Sequence, residues 1–215
     1  LLSASENYWV KPLRFGQQLD IETRREWQTE EVTQSFFECT PDETIRIFST
    51  YYAENNQIYP TLLEKAKLLR KKTGAKKQKL RIEMMLMNPL PSTTIANRCR
   101  HRNDETTDNA ILKIRDQVQL YTELADKYAD VISLEMKLYS SWIFGKFIQI
   151  GSRVIYYSII FAHKSATEGP MFILNNPNLQ LWKDMEDDFK VVFDGATPAK
   201  EMIDQFNEEP IISLT

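Results

Sequence analysis

The stretch TIRIFSTYYAENNQIYPTLLEKAKLLRKKTGAKKQKLRIEMMLMNP, residues 44–89, changes its periodicity twice. Thr44–Tyr52 alternates and is rich in β-formers, the pattern of a strand. Ile58–Lys72 then carries Leu62, Leu63, Ala66, Leu68 and Leu69 along one helical stripe and ends in Arg70-Lys71-Lys72 before Gly74. Cations near the last carbonyls and a glycine beyond them suit a helix C-terminus. Lys79–Met87 returns to strand character and closes at Asn88-Pro89. Strand, helix and strand in this order form a β-α-β unit, whose strands pair in parallel through a right-handed crossover.

The rest of the chain extends this unit. Ser92 or Thr93 is expected to cap a short helix running to Arg102. Thr107–Tyr128 places Ile111, Ile114, Val118, Tyr121, Leu124 and Ala125 at helical spacing, and Val131–Tyr139 reads as the third strand. Trp142–Ile150 and Arg153–Ala162 flank Gly151-Ser152, the signature of a hairpin. Met171–Leu174 adds a short strand. Leu179–Phe193 reads as an amphipathic helix with Leu181, Trp182, Met185, Phe189 and Val192 or Phe193 inward. Upstream, Asp20–Phe37 has helical character, with Trp27, Val32 and Phe36 on one face, until Pro41-Asp42 interrupts it. The tail after Gly195 is expected to be loosely ordered. The fold class is therefore α/β, an α+β arrangement around a mixed sheet.

Bulk properties narrow the function classes. The chain has 215 residues, 42% hydrophobic and 27% charged, enough for one sizeable core. Its net charge of −3 hides an asymmetry: between Lys65 and Arg102, twelve Lys/Arg face one acid, Glu83. Residues 184–209 run the other way, with nine acids against Lys190 and Lys200. Such asymmetry points to an anionic partner for the basic side, or to mutual neutralisation. Cys39 and Cys99 form neither a CxxC pair nor a disulfide framework, so a reducing, cytoplasmic setting is the default. No apolar run is long enough to span a membrane, and Val154–Ala162 is strand-sized. No signal peptide is visible. The Leu-Leu start without an initiator Met leads us to expect an excised piece, with an effector, DNA-binding or membrane domain outside it. GxGxxG, P-loop, HExxH and nucleophile-elbow motifs are absent, and no cofactor or metal is expected.

Five pieces in order, IRIFSTYY (45–52), MMLMNP (84–89) with IANRCR (95–100), SLEMKLY (133–139), the hairpin and EGPMFILNNPNLQLW (168–182), resemble the phospholipase D-like fold. The likeness covers about Thr44 to Phe193 and is greatest to small, non-catalytic members that serve as sensor or regulatory modules. It implies residues 1–40 as an N-terminal helical segment, 41–195 as the phospholipase D-like domain and 196–215 as an acidic tail. Active members carry H-x-K-x4-D in the hairpin, and the matching positions here are Phe144, Lys146 and Gly151. Lysine survives, but Phe cannot attack phosphorus and Gly cannot orient an imidazole. The two histidines, His101 and His163, are followed two positions on by Asn103 and Ser165, so neither restores the motif.

The resemblance implies a module that binds a phosphate-bearing small ligand, a nucleotide or a protein partner, and relays that state to an attached domain or a homodimer. The expected ligand-binding residues are Ser49, Tyr51, Asn88, Arg98, Arg100 and Tyr139 near the strand C-terminal ends, where open α/β sheets collect ligands. Arg98 is the best single choice by its match to the family's pattern, and a guanidinium engages phosphate bidentately. His163 and Glu168 join them after the second hairpin strand. Tyr156 and Tyr157 are further candidates for a pocket wall, but as neighbours on a strand they must face opposite sides. Met84, Met85 and Met87 read more simply as a buried strand. Two alternatives stand beside this reading. One is a phosphodiesterase or nuclease with a rearranged site using His163, Lys164 and Glu168. The other is nucleic-acid binding through the basic face 65–102, which lacks interleaved aromatics for stacking.

Overall fold

The structure, a computed structural model, describes residues 10–12, 30, 32–49, 58–71, 79–90, 106–140, 145–159 and 171–202. In chain order its elements are β1 (Val10–Pro12), α1 (residues 32–38), β2 (Thr44–Phe48), α2 (Ile58–Lys71), β3 (Leu80–Met87) and α3 (Thr107–Lys127). There follow β4 (Ile132–Tyr139), β5 (Gly145–Ile150), β6 (Val154–Ile159), β7 (Met171–Leu174), α4 (Gln180–Gly195) and β8 (Thr197–Pro198).

The β-α-β unit of residues 44–89 forms and occupies the middle of an eight-stranded sheet, ordered β1-β7-β6-β5-β2-β3-β4-β8. β2, β3 and β4 are parallel, with Ile45 beside Ile82 and Ile82 beside Leu134. The remaining pairings are antiparallel, which makes the sheet mixed and the domain α/β. Parallel strands buried on both faces carry near-continuous apolar runs, and Met84, Met85, Leu86 and Met87 are all inaccessible to solvent.

Among the described residues, three helices cover one face of the sheet and α4 covers the other. Ser35 of α1 hydrogen-bonds the Tyr156 hydroxyl of β6 at 2.8 Å, which fixes α1 on the first face. Lys65 of α2 reaches α1, donating to the carbonyls of Phe37 (2.6 Å) and Cys39 (2.5 Å). These carbonyls end α1 without partners of their own, and a buried ammonium satisfies them. α3 lies beside α2, with Tyr121 edge-on to Tyr59 and the Arg70 guanidinium over the Tyr128 ring at 4.2 Å. Thr106 caps α3, its side chain accepting from the Asn109 N–H. Across the sheet, Phe189 of α4 packs on Phe147 and Phe193 and edge-on to Phe48.

Several expectations need correcting. Leu68 and Leu181, assigned to inward stripes, are 46% and 45% exposed. α2 turns Thr61, Leu62, Lys65, Ala66 and Leu69 inward, and α4 turns Trp182, Phe189 and Phe193 inward. At 100° per residue these stripes leave both leucines on their flanks. The hairpin loop has three residues, Gly151 to Arg153, because Ile150 pairs with Val154. Gly151 adopts φ +52°, donates to the Thr44 carbonyl at 2.9 Å and leaves no room for a Cβ against Glu43. Arg153 is drawn from the strand into the loop by Glu43 at 2.8 Å. The tail is not loose at its start, since Thr197–Pro198 pairs with β4 and Ala199 is buried. Residues 196–202 therefore continue the fold. β1 was not foreseen. The helix expected from Ser92 to Arg102, Trp27 and most of Asp20–Phe37 lie outside the described residues.

Candidate functional site

Strand alternation divides the candidates between the two sheet faces. The face toward α4 carries Phe48, Phe147 and Tyr139, whose ring meets Phe48 edge-on at 4.8 Å. It also carries a charged network. Arg46 Nε donates to Glu83 at 2.8 Å, and its Nη1 donates to Glu186 at 3.0 Å and to Gln149 at 3.1 Å. Gln149 Nε2 completes it by donating to Glu186 and to the Gly151 carbonyl. The side chains of Arg46, Glu83 and Glu186 are each about one third exposed, and the network ties α4 to three adjacent strands.

The opposite face is apolar across β2, β3 and β5, with Ile45, Ile47, Ile82, Met84, Ile148 and Ile150 buried. Polar groups interrupt it near the C-terminal end of β2. Lys146 must point to this face, because its neighbour Phe147 and Gln149 beyond it point to α4. On one side its cross-strand partner is Ser158, 6% exposed. On the other, the register that sets Phe48 against Phe147 brings Ser49 beside Lys146 one step later, and Ser49 is 4% exposed. The row Ser49, Lys146, Ser158 thus crosses β2, β5 and β6. Burial pulls the Lys146 ammonium from its ordinary 10.5 down to about 8. A cation flanked by two hydroxyls suits an anion, for which it would supply charge and two neutral donors.

Asn88 projects from the same face but is committed to local structure. Its side-chain oxygen accepts from the Leu90 N–H at 2.8 Å and its amide donates to Ser140 at 3.3 Å. Its backbone N–H donates to Tyr139 at 2.7 Å, so Asn88 ties the ends of β3 and β4 together. Ser49 and Asn88 therefore share one face, while Tyr139 lies across the sheet from them. Tyr51, Arg98, Arg100, His163 and Glu168 lie outside the described residues, as does Phe144. Tyr156 and Tyr157 do face opposite sides: Tyr156 meets α1, and Tyr157 lies over Gly145 on the α4 side. Ser158 was missed by sequence reasoning, and Lys146 was read only as a remnant of a motif. The usable signal was a lysine at an inward position of GKFIQI, combined with the hairpin register that sets 146 against 158.

The basic segment does not present all its charge outward. Lys65 is buried against α1, Lys67 pairs with Glu64, and Arg70 pairs with Asp130. In the acidic segment, Glu186 is turned to Arg46 of β2 rather than to 65–102. Cys39 is buried, and loss of hydration together with Glu43 pushes its thiol up to about 11, which keeps it protonated and unreactive at neutral pH. Among the described residues, no group of three His, Cys, Asp or Glu could hold a metal ion, and no helix is long and apolar enough to cross a membrane.

Among solved structures, the chain is similar to TrmBL2, described as an archaeal chromatin protein with a novel mode of DNA binding. That likeness covers 92% of this chain and 56% of the other, at 8% identity and a TM-score of 0.49. It is also similar to a phosphatidylserine synthase from Haemophilus influenzae Rd KW20, over 82% of this chain and 41% of the other, at 11% identity and a TM-score of 0.45. The chain spans about half the length of the structures it matches. No protein-family model matches the chain, and no curated protein does. Likenesses this distant carry no argument about the fold or the chemistry of the site.

Proposed function

We propose that this chain is a non-catalytic sensing module of phospholipase D-like fold that binds a small phosphate-bearing anion at Lys146, with Ser49 and Ser158 as flanking donors. The observation that carries the reading is the row Ser49, Lys146 and Ser158 across β2, β5 and β6, which sets a lysine between two hydroxyls on an apolar sheet face. Phe144 stands where a nucleophilic histidine would, which favours binding over turnover. Tyr51, Arg98, Arg100, His163 and Glu168 belong to the proposal as residues around the same strand ends, with Arg98 as the bidentate arm. The bound state would be relayed to an attached domain or a second copy.

Calorimetric titration with inorganic phosphate and with pyrophosphate tests this reading, using wild type, Lys146→Met and Arg98→Ala. Saturable binding weakened at least tenfold by Lys146→Met supports it, tenfold being about 1.4 kcal/mol. Equal affinity in wild type and Lys146→Met removes Lys146 from the site. Hydrolysis of bis(p-nitrophenyl) phosphate that is lost in His163→Ala would replace the binding module with an enzyme.

A further inference from the structure

Within the row Ser49, Lys146 and Ser158, the lysine is the residue that reaches solvent. Both serines are buried, whereas Lys146 keeps an intermediate exposure. The rung beneath it is dry: Ile47, Ile148 and Tyr156 lie side by side across β2, β5 and β6 and are all buried. Tyr156 turns its hydroxyl to Ser35 of α1, and Lys65 of α2 spends its ammonium on the carbonyls that end α1. Cys39, behind them, is set against Glu43, Lys65 and Arg153. The Ser158 hydroxyl, opposite Lys146 in the ladder, has no hydrogen-bond partner among the described residues. A buried hydroxyl left open beside an amine marks room for a polar group that a ligand would bring.

This setting favours a reaction that ordinary lysines perform poorly at neutral pH. An ammonium has no lone pair, so only the neutral amine attacks carbon, and a desolvated lysine holds more of it. With its proton affinity lowered from 10.5 to about 8, roughly a tenth of Lys146 is neutral at pH 7, against about 0.03% of an ordinary lysine. That is a gain of about 300-fold in the reactive form. Lower basicity returns part of it; on the slope of about 0.5 known for thiols, about tenfold remains. The dry rung helps the second half of such a reaction, because excluded water slows hydrolysis of the product.

We propose that Lys146 is a covalent capture site for small aldehydes, held as a reversible imine, with the Ser158 hydroxyl donating to the carbonyl oxygen. The amine nitrogen bonds the carbonyl carbon as the C=O π pair moves to oxygen, and the proton shed by nitrogen passes to that oxygen. The carbinolamine then loses its hydroxyl together with the remaining nitrogen proton as water, which leaves the C=N bond. No electron donor or acceptor enters. Capture goes beyond the anion reading, which uses the ammonium, whereas capture uses the amine.

Reductive trapping tests the proposal on the full chain. Wild type is exposed to limiting glycolaldehyde at pH 7 and at pH 10, in buffer free of amines and phosphate, then quenched with borohydride and mapped by peptide mass. Exposed Lys79, Lys183 and Lys190 are the internal references. Lys146 should take label about tenfold ahead of each at pH 7, and the lead should shrink at pH 10, where every lysine offers more amine. Label on Lys146 no faster than on the references at pH 7, or a lead undiminished at pH 10, overturns capture. The measurement needs no variant, so misfolding cannot imitate failure. Ser158→Ala should slow labelling of Lys146 and leave the references unchanged, and equal labelling overturns the donor role of Ser158. Capture that fails while phosphate still binds through Lys146 overturns this inference alone. Capture without phosphate binding supports it and overturns the anion reading.

Discussion

Replacing Lys146 by Met should make this protein more stable, by an amount that depends on pH. Burial holds the Lys146 ammonium at about 8 against an ordinary 10.5, so the folded chain binds that proton less tightly than the unfolded chain does. Below about pH 8 both states are protonated and the full penalty applies. Between about 8 and 10.5 the folded lysine is neutral while the unfolded one is still charged, so stability rises with pH through that window. Above it the penalty is gone. At 1.36 kcal/mol per pH unit, the cost comes to about 3 kcal/mol at pH 7 and falls below about 1 kcal/mol at pH 10. Methionine has similar volume and no charge to desolvate. For a chain of this size, 1 kcal/mol moves the midpoint by about 2–4 °C, so Lys146→Met should melt roughly 6–12 °C higher at pH 7. The assay is thermal unfolding of both proteins at pH 7 and pH 10 in buffer free of phosphate. A variant no more stable than wild type at pH 7, or a gain equal at both pH values, would refute the reasoning. A saturating anion should raise the wild-type midpoint at pH 7 and leave the variant unmoved, because only a ligand that prefers the folded state stabilises it.

Two further substitutions probe the scaffold on either side of the sheet. Phe189→Ala empties the ring cluster formed with Phe48, Phe147 and Phe193 and should cost about 3–5 kcal/mol, read as a lower urea midpoint at unchanged slope. Lys65→Met strands the Phe37 and Cys39 carbonyls and should cost about 1–3 kcal/mol, with exchange of the α1 amides accelerating before those of β3.

Periodicity revealed what periodicity controls. The alternation in Thr44–Phe48 and the helical stripes of Thr107–Lys127 and Gln180–Gly195 are properties of single segments, and each was legible. β1 and β8 were not, because three and two residues of backbone pairing leave no pattern in side-chain chemistry. Lys65 was counted with the surface cations, since nothing in its own segment announces the two orphan carbonyls of α1. The candidate site suffered most. Ser49, Asn88 and Tyr139 were grouped as strand ends, but which face a strand end presents depends on registers with neighbours far away in sequence. Those registers join Ser49 to Lys146 and Ser158 and set Tyr139 across the sheet. Seven residues earlier in the same hairpin, the Gly-Ser signal found the turn but not its length, because Glu43 and Thr44, from another strand, decide where the chain reverses.

The central position of β2 has a consequence for biosynthesis. β3 reaches it after a short local excursion, but β5, its other partner, lies about a hundred residues downstream, as the pairing of Ile45 with Ile150 records. At ribosomal rates of about 5–20 residues per second, one side of the central strand waits roughly 5–20 s for its complement. During that interval the nascent chain exposes Ile45 and Ile47 beside unpaired backbone, a template for non-native pairing. Folding yield should therefore depend on how quickly translation proceeds from β3 to the hairpin, and the β5–β6 hairpin is the piece whose arrival closes the sheet.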